Sequence, residues 1–170
     1  MVKVQSCNTK KEHIYTFSVV IPIYNVGMYL EEAIDSIICQ SIGFKDNIQL
    51  VLVNDGSTDN SAEICHRYKE KYPQNIVYIE KENGGVSSAR NEGLKYVKGK
   101  YVNFFDGDDK WGKDSFKRVK KFFEENYDKI DVVACRLYYF GRQNGFKHPL
   151  VNNLALVTPP FLRMETAVPV

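Results

Sequence analysis

Short β-rich runs alternate with helical patterns through most of this 170-residue chain, and this alternation constrains its fold more than any other feature. Every junction between a run and a helical pattern carries Gly, Asn, Asp or Ser. Strands that alternate with helices in this way are typical of βα units, which assemble into a mostly parallel sheet flanked by helices. The predicted strands are FSVVIPIYN (17–25), IQLVLVND (48–55), NIVYIEKEN (75–83), YVNFFD (101–106) and IDVVACRLYYF (130–140).

The composition favours a single globular domain and excludes several kinds of partner. With 44% hydrophobic and 26% charged residues, a chain of this length can bury a substantial core. A net charge of +2 provides no strong field for nucleic acid. No segment approaches the roughly 20 apolar residues of a membrane span. The four cysteines form no CxxC pair, which indicates reduced thiols in a cytoplasmic protein.

Polar residues follow the predicted strands at the points where parallel sheets bind ligands. Because the carboxyl ends of parallel strands meet at one edge of a sheet, we expect these groups to converge although dozens of residues separate them. They are Tyr24 and Asn25, Asn54 and Asp55, Asn83 to Gly85, and Asp106 to Asp109.

The stretch DGDD (106–109) places three carboxylates within four positions, which favours either a hydrated turn or a cation site. GxGxxG and GxxxxGK[ST] motifs are absent, so a dinucleotide site and a P-loop are excluded. A calcium loop beginning at Asp106 would place Trp111 where the sharp-turn Gly belongs, which excludes an EF-hand. The remaining pair, Asp106 and Asp108, suits Mg²⁺ or Mn²⁺ shared with a phosphate ligand.

Three further residues suggest what the phosphate belongs to. The Asp55 carboxylate can accept hydrogen bonds from a base N–H or a ribose hydroxyl. The Tyr24 ring can pack against a flat base, and the Arg90 guanidinium suits a phosphate or a ring of acids. Together these residues predict a pocket for a base, a ribose, a diphosphate and a metal ion.

Four motifs, VVIPIYN, VNDGSTDNS, ENGGVSSARNEGL and YVNFFDGDD, occur in the order and approximate spacing of family 2 of the nucleotide-sugar glycosyltransferases. The chain resembles this family from about Phe17 to Phe140. The resemblance implies the α/β GT-A fold, a Rossmann-like, mostly parallel sheet flanked by helices in one C-terminally incomplete domain. It also implies inverting transfer of a sugar from a UDP-sugar donor to an acceptor hydroxyl, with Mg²⁺ or Mn²⁺, in the synthesis of surface polysaccharide or cell-wall polymer.

The resemblance gives each motif residue a role. The first two motifs resemble the pocket for the uracil base, and the third supplies further donor contacts. Asp106 resembles the ribose-side acid of the D-x-D motif, Asp108 its metal ligand and Asp109 a supporting acid. The implied nucleotide-sugar-binding residues are Pro22, Tyr24, Asn25, Asp55, Asn83, Arg90 and Asp106.

The match fades after Phe140, which divides the chain into an N-terminal extension (1–16), a nucleotide-sugar-binding core (17–140) and a partial acceptor-side segment or truncated end (141–170). Transfer needs a general base, which in the family comes well after the D-x-D motif. We expect this base beyond Val170, because Glu165 is the only carboxylate after Asp131 and lies in no motif of the family.

Two functions stay open, a glycosyltransferase and an isolated donor-binding fragment that binds UDP and metal without transferring sugar. The saccharide or polymer acceptor, the oligomeric state and peripheral association with the inner face of the cell membrane also stay open.

Overall fold

A computed structural model describes residues 1–3, 13–126, 129–134, 155–158 and 163–165 of the chain. The strands are β1 (Val2–Lys3), β2 (Tyr15–Ile23), β3 (Ile48–Asn54), β4 (Ile76–Glu80), β5 (Gly99–Phe104), β6 (Val132–Ala134), β7 (Ala155–Thr158) and β8 (Arg163–Glu165). The helices are α1 (Gly27–Ile38), α2 (Phe44–Asn47), α3 (Ser61–Lys71), α4 (Val86–Leu94) and α5 (Ser115–Glu125).

The strands form one sheet in the order β4-β3-β2-β5-β1-β6-β7-β8. The first four strands in this order are parallel to one another, which confirms the predicted parallel core flanked by helices. The other described pairs are antiparallel, beginning with β1, which lies between β5 and β6. Of the predicted strand at 130–140, β6 is the described part, and residues 135–140 lie outside the described residues.

Alternation of side chains places apolar residues on both faces of the parallel strands. In β2, Phe17, Val19 and Ile21 face one helical layer, while Val20 faces the other. The first layer contains α1, α3 and α5, and the second contains α4. Every residue of β3 is buried, as expected for a strand covered on both faces.

Apolar residues recur at helical spacing in the sequences of α1 and α5, which predicts one apolar face for each helix, and these faces lie against the sheet. In α1, Leu30, Ala33, Ile34 and Ile37 are fully or almost fully buried. In α5, Phe116 contacts Phe17 of β2 edge to face, with 5.0 Å between ring centroids. These contacts attach the helices to the strands whose ends carry the polar motifs.

The sequence GGVSSARNEGLKYVKG (84–99) predicts a helix with Ser87 or Ser88 as its cap, and this prediction is wrong. The helix begins earlier, at Val86, after Gly85 with a φ of 83°. This left-handed conformation is open to glycine without a Cβ penalty, and it allows the N–H groups of Gly84 and Gly85 to reach the Asp55 carboxylate. Backbone amides therefore meet an acid from a neighbouring strand at this helix start.

Among the described residues, no helix combines the length and the hydrophobicity needed to cross a lipid bilayer.

Candidate functional site

The register of the parallel strands brings the polar motifs to one edge of the sheet. Ile23 of β2 pairs with Asn54 of β3, and Asn54 pairs with Glu80 of β4. On the other side of β2, Val20 pairs with Phe104 of β5, so the chain beyond β5 continues towards the same edge. The motifs that follow these strands therefore surround a common space.

That space is a pocket with a volume of about 410 Å³, within the range of small-molecule sites. Its lining comes from four strand ends and the start of α4, and it combines three carboxylates with apolar side chains from the end of β2 and from α4. Predicted site residues in the lining are Pro22, Tyr24, Asp55, Asn83, Asp106 and Asp108. The remaining lining residues are Ile23, Val26, Gly85, Val86, Ala89 and Gly107.

Asp55 is the most deeply buried carboxylate of the pocket, with 3% of its surface exposed. Its Oδ1 accepts hydrogen bonds from Lys81 Nζ at 2.5 Å and the N–H of Gly84 at 3.0 Å, and its Oδ2 accepts one from the N–H of Gly85 at 2.7 Å. Burial alone would raise the pKa of Asp55, but these donors outweigh it and hold the pKa below its ordinary value. The carboxylate is therefore ionised and fixed at neutral pH.

The contact to Lys81 was missed from the sequence. Lys81 directly follows β4 and Asp55 directly follows β3, so a cation and an acid stand at neighbouring strand ends. That pairing is readable from the sequence only after β3 and β4 are placed side by side in this register.

Arg90 lies beside the pocket and binds one of its acids. Its Nη2 donates to Asp106 Oδ1 at 2.7 Å, and its guanidinium lies 5.7 Å from the centroid of the Phe104 ring. The buried Nε of Arg90 has no hydrogen-bond partner within the described residues. The sequence predicted either a phosphate or a ring of acids as the partner of Arg90, and in the structure its guanidinium binds the Asp106 carboxylate.

The acids of the DGDD stretch differ in their surroundings. Asp106 is held by Arg90, whereas Asp108 lines the pocket without a hydrogen bond or ion pair in the described part of the chain. Desolvation, together with the negative charges of Asp108 and Asp106, raises the pKa of the exposed Asp109 side chain. This crowding of like charges favours a cation at the D-x-D motif.

No three His, Cys, Asp or Glu side chains within the described ranges are arranged as a metal-binding group.

Asn25 does not line the pocket. Its backbone has a φ of 53°, and its Oδ1 accepts hydrogen bonds from the N–H groups of Thr58 and Asp59 at 2.8 and 3.3 Å. Asn25 therefore connects the loop after β2 to the loop after β3, and the predicted contact to a donor stays a prediction.

Aromatic and apolar surface surrounds the mouth of the pocket. Tyr24 and Val86 each have 51% of their surface exposed, although both belong to the lining. A Cβ added to Gly107 would lie 2.9 Å from Val26 Cγ2, so the acidic loop packs closely against the segment that precedes α1. The lining therefore combines apolar side chains, which suit a flat ring, with three carboxylates.

Comparison with known sequences identifies relatives of this chain. The family model described as glycosyl transferase family 2 matches residues 18–166. The minor teichoic acid biosynthesis protein GgaB of Bacillus subtilis is 52% identical over 146 residues, which cover 86% of this chain and 16% of GgaB. The chain therefore spans a small part of the length of this relative.

Solved structures share the same fold. Residues 1–349 of S. aureus TarS, in complex with UDP-GlcNAc, match with a TM-score of 0.61 and 33% identity over 66% of this chain and 32% of that chain. The mannosyltransferase PcManGT from Pyrobaculum calidifontis, in complex with GDP-Man and Mn²⁺, matches with a TM-score of 0.56 and 25% identity over 68% of this chain and 35% of that chain. The predicted GT-A fold is confirmed.

Proposed function

Because this chain belongs to glycosyl transferase family 2, we propose that its pocket binds a UDP-sugar together with Mg²⁺ or Mn²⁺ and that it transfers the sugar to an acceptor hydroxyl. The relationship to the minor teichoic acid biosynthesis protein GgaB supports a role in cell-wall polymer synthesis. A saccharide or polymer acceptor and a location at the inner face of the cell membrane are further parts of this proposal. TarS and PcManGT, which were solved with a nucleotide sugar, support the choice of donor class.

The observation that carries this proposal is the convergence of six predicted residues from four strand ends on one pocket. Such convergence at the carboxyl edge of a parallel sheet is where ligands bind in open α/β folds. The pocket has a volume of about 410 Å³ and is open to solvent at its mouth, so it has room for a ligand larger than a base.

We place the base between Pro22, Tyr24 and Asp55. Tyr24 supplies an aromatic ring at the mouth, and apolar surface on both sides suits a flat heterocycle. Asp55 is an acceptor that stays ionised, so it favours a base edge with an N–H donor. The imide N–H of uracil is one such donor, and we favour UDP because the motifs resemble a uracil pocket and because TarS was solved with UDP-GlcNAc.

We place the ribose and the diphosphate near the DGDD stretch. Asp106, held by Arg90, is the proposed partner of the ribose, and Asp108 is the proposed metal ligand. Asp108 fits that role because it lines the pocket and has no recorded partner in the described residues. Mg²⁺ and Mn²⁺ typically bind through one or two carboxylates and complete their coordination with phosphate and water, and they neutralise charge on a leaving phosphate.

The proposed reaction is an inverting transfer. The acceptor hydroxyl attacks the anomeric carbon from the face opposite the diphosphate and loses its proton to a general base, while the bond from the anomeric carbon to the diphosphate oxygen breaks and UDP leaves. In this scheme the residues of the pocket bind and orient the donor. The general base stays outside the set of residues that we assign.

Calorimetric titration of the purified chain with UDP, ADP and CDP, each with and without Mn²⁺, tests the proposal. We expect UDP to bind at least about tenfold more tightly than ADP or CDP, and more tightly with Mn²⁺ than without it. Absence of binding for all three nucleotides would refute the donor site. Hydrolysis of UDP-sugars by the same protein, measured as UDP release, separates an active transferase from a donor-binding fragment.

A further inference from the structure

Lys81 and Asp55 occupy neighbouring positions at the ends of neighbouring parallel strands. Asn54 of β3 is in register with Glu80 of β4, and the N–H of Lys81 donates to the Asn54 carbonyl at 3.0 Å. The backbone of Asp55 is fixed in the same way, because its N–H donates to the Ile23 carbonyl at 2.8 Å. The sheet itself therefore places these two side chains next to each other.

The Lys81 ammonium joins the end of β3 to the loop that precedes α4. It donates to Asp55 Oδ1 at 2.5 Å and to the Glu82 carbonyl, and 22% of the side chain is exposed. A Cβ added to Gly84 would lie 3.0 Å from Nζ, so the ammonium lies directly against this loop. The same loop carries Asn83 and Gly85, both of which line the pocket.

Hydrogen-bond counting leaves Asp55 with limited acceptor capacity. A carboxylate offers about four lone-pair sites. Lys81 and Gly84 occupy Oδ1, and Gly85 occupies one site on Oδ2. One site on Oδ2 therefore stays available in a residue that lines the pocket.

Two of the three carboxylates that line the pocket have a cationic partner. Lys81 compensates Asp55, and Arg90 compensates Asp106. Asp108 has no such partner in the part of the chain that the structure describes. Because Lys81 compensates the charge of Asp55, this carboxylate can accept a hydrogen bond from the ligand without repelling the phosphates of that ligand.

We propose that Lys81 is a positioning residue for the donor nucleotide, which holds Oδ1 of Asp55 and thereby directs the available acceptor site on Oδ2 towards an N–H group of the base. This inference rests on the proposed function of the pocket. We expect Lys81 to affect binding of the base and not of the diphosphate. Among the described residues, Lys81 makes no hydrogen bond or ion pair with the D-x-D acids or with Arg90, which we assign to the ribose, metal and diphosphate.

Binding measurements on Lys81→Met test this role, with UDP and inorganic pyrophosphate as probes in the presence of Mn²⁺. We expect K81M to weaken UDP binding at least about tenfold and pyrophosphate binding less than about twofold. Lys95→Met is the matched control, because Lys95 directly follows α4, is exposed, pairs with Glu92 and does not line the pocket. K95M is expected to bind both probes like the unaltered protein.

A double-mutant cycle separates positioning through Asp55 from a general effect on the loop. When Asp55→Asn is already present, adding K81M is expected to weaken UDP affinity by a further factor of less than about two, because both changes act on one carboxylate. Circular dichroism verifies folding of each variant, and Lys81→Gln replaces K81M if the latter does not fold.

Three outcomes overturn the inference about Lys81 while leaving the donor site intact. The first is unchanged UDP binding in a folded K81M or K81Q, and the second is an equal loss of affinity for UDP and pyrophosphate. The third is a double variant whose loss of UDP affinity equals the product of the losses in K81M and D55N. Failure of the unaltered protein to bind UDP would instead refute the proposed function, and with it the role of Lys81.

Discussion

At the scale of single residues, four aspartates of one pocket region have four different environments. Asp55 is buried and held by three donors, Asp106 is paired with Arg90, Asp108 lines the pocket, and Asp109 carries a raised pKa. Their chemistry is identical, so these differences arise from neighbours that the fold supplies. Each difference leads to its own expected effect of mutation.

Asp108→Asn is expected to remove the metal dependence of UDP binding. The amide keeps the size of the side chain but lacks the negative charge that Mg²⁺ and Mn²⁺ prefer. The gain in UDP affinity on adding Mn²⁺ should fall by about tenfold or more, as measured by calorimetry. Asp114→Asn, in the segment between the DGDD stretch and α5, is the control, because its φ of 65° is readily adopted by Asn. An undiminished response to Mn²⁺ in D108N would contradict the assignment.

Asp109→Asn is expected to stabilise the fold at neutral pH. Because the folded pKa of Asp109 lies above the ordinary value of 3.8, protonation favours the folded state, and the ionised side chain lowers stability above that pH. The gain in unfolding free energy at pH 7 should be about 0.5 kcal/mol, since the side chain is solvent-screened. It should vanish as the pH falls below 3.8, where Asp109 is protonated in both folded and unfolded chains. Urea denaturation at pH 7 and pH 3 measures both values, and a loss of stability at pH 7 would contradict a net cost of desolvation and like-charge repulsion at Asp109.

At the scale of elements, α4 approaches the sheet closely enough to exclude a side chain at Gly93. A Cβ at this position would lie 2.4 Å from Val20 Cγ1 and 3.2 Å from Val53 Cγ2. Ala89, one turn earlier, is fully buried in the same contact with the strands. The position of α4 matters for the pocket, because Val86 and Ala89 of this helix are part of its lining.

Gly93→Ala is expected to destabilise the protein by about 1–3 kcal/mol, because the added methyl overpacks the space between α4 and the strands. The cost should exceed the small gain that Ala brings to a helix interior. Urea denaturation measures the difference, with Asn91→Ala on the exposed side of α4 as the control, expected to stay within about 0.5 kcal/mol. Equal stability of G93A and the unaltered protein would show that the helix can shift without cost.

At the scale of the whole molecule, residues from the ends of all four parallel strands line the pocket. A ligand bound there therefore stabilises the folded sheet against unfolding. A ligand that binds the folded protein at about 100 times its Kd adds about 2.7 kcal/mol to the free energy of unfolding. For a chain of this size, UDP with Mn²⁺ should raise the melting temperature by roughly 5–10 °C. Differential scanning calorimetry measures the shift, and ADP at the same concentration is the control. Equal shifts for UDP and ADP would contradict selection of uracil.

Much of the architecture was predictable because its cause is local. Apolar runs of strand length, interrupted by Gly, Asn, Asp and Ser, indicated the four parallel strands, and their alternation with helices indicated the parallel topology that the structure confirms. Parallel topology in turn predicted that Asp55 and the DGDD stretch share one edge. The start of α4 was predicted wrongly, because it depends on the left-handed conformation of Gly85 and on hydrogen bonds to Asp55, neither of which belongs to the helical pattern.

The amino-acid sequence alone therefore determined the type and order of the core elements and the residues that reach the edge of the sheet, since periodicity and strand ends are properties of the chain itself. Only the tertiary structure decided how those residues pair. Lys81 meets Asp55 because β3 and β4 are neighbours in a particular register. Arg90 meets Asp106 because α4 packs on β2 and β3 and places the guanidinium near Phe104 of β5. Such partners are separated by 16 to 26 positions along the chain, and their distances depend on register, helix placement and backbone conformation together.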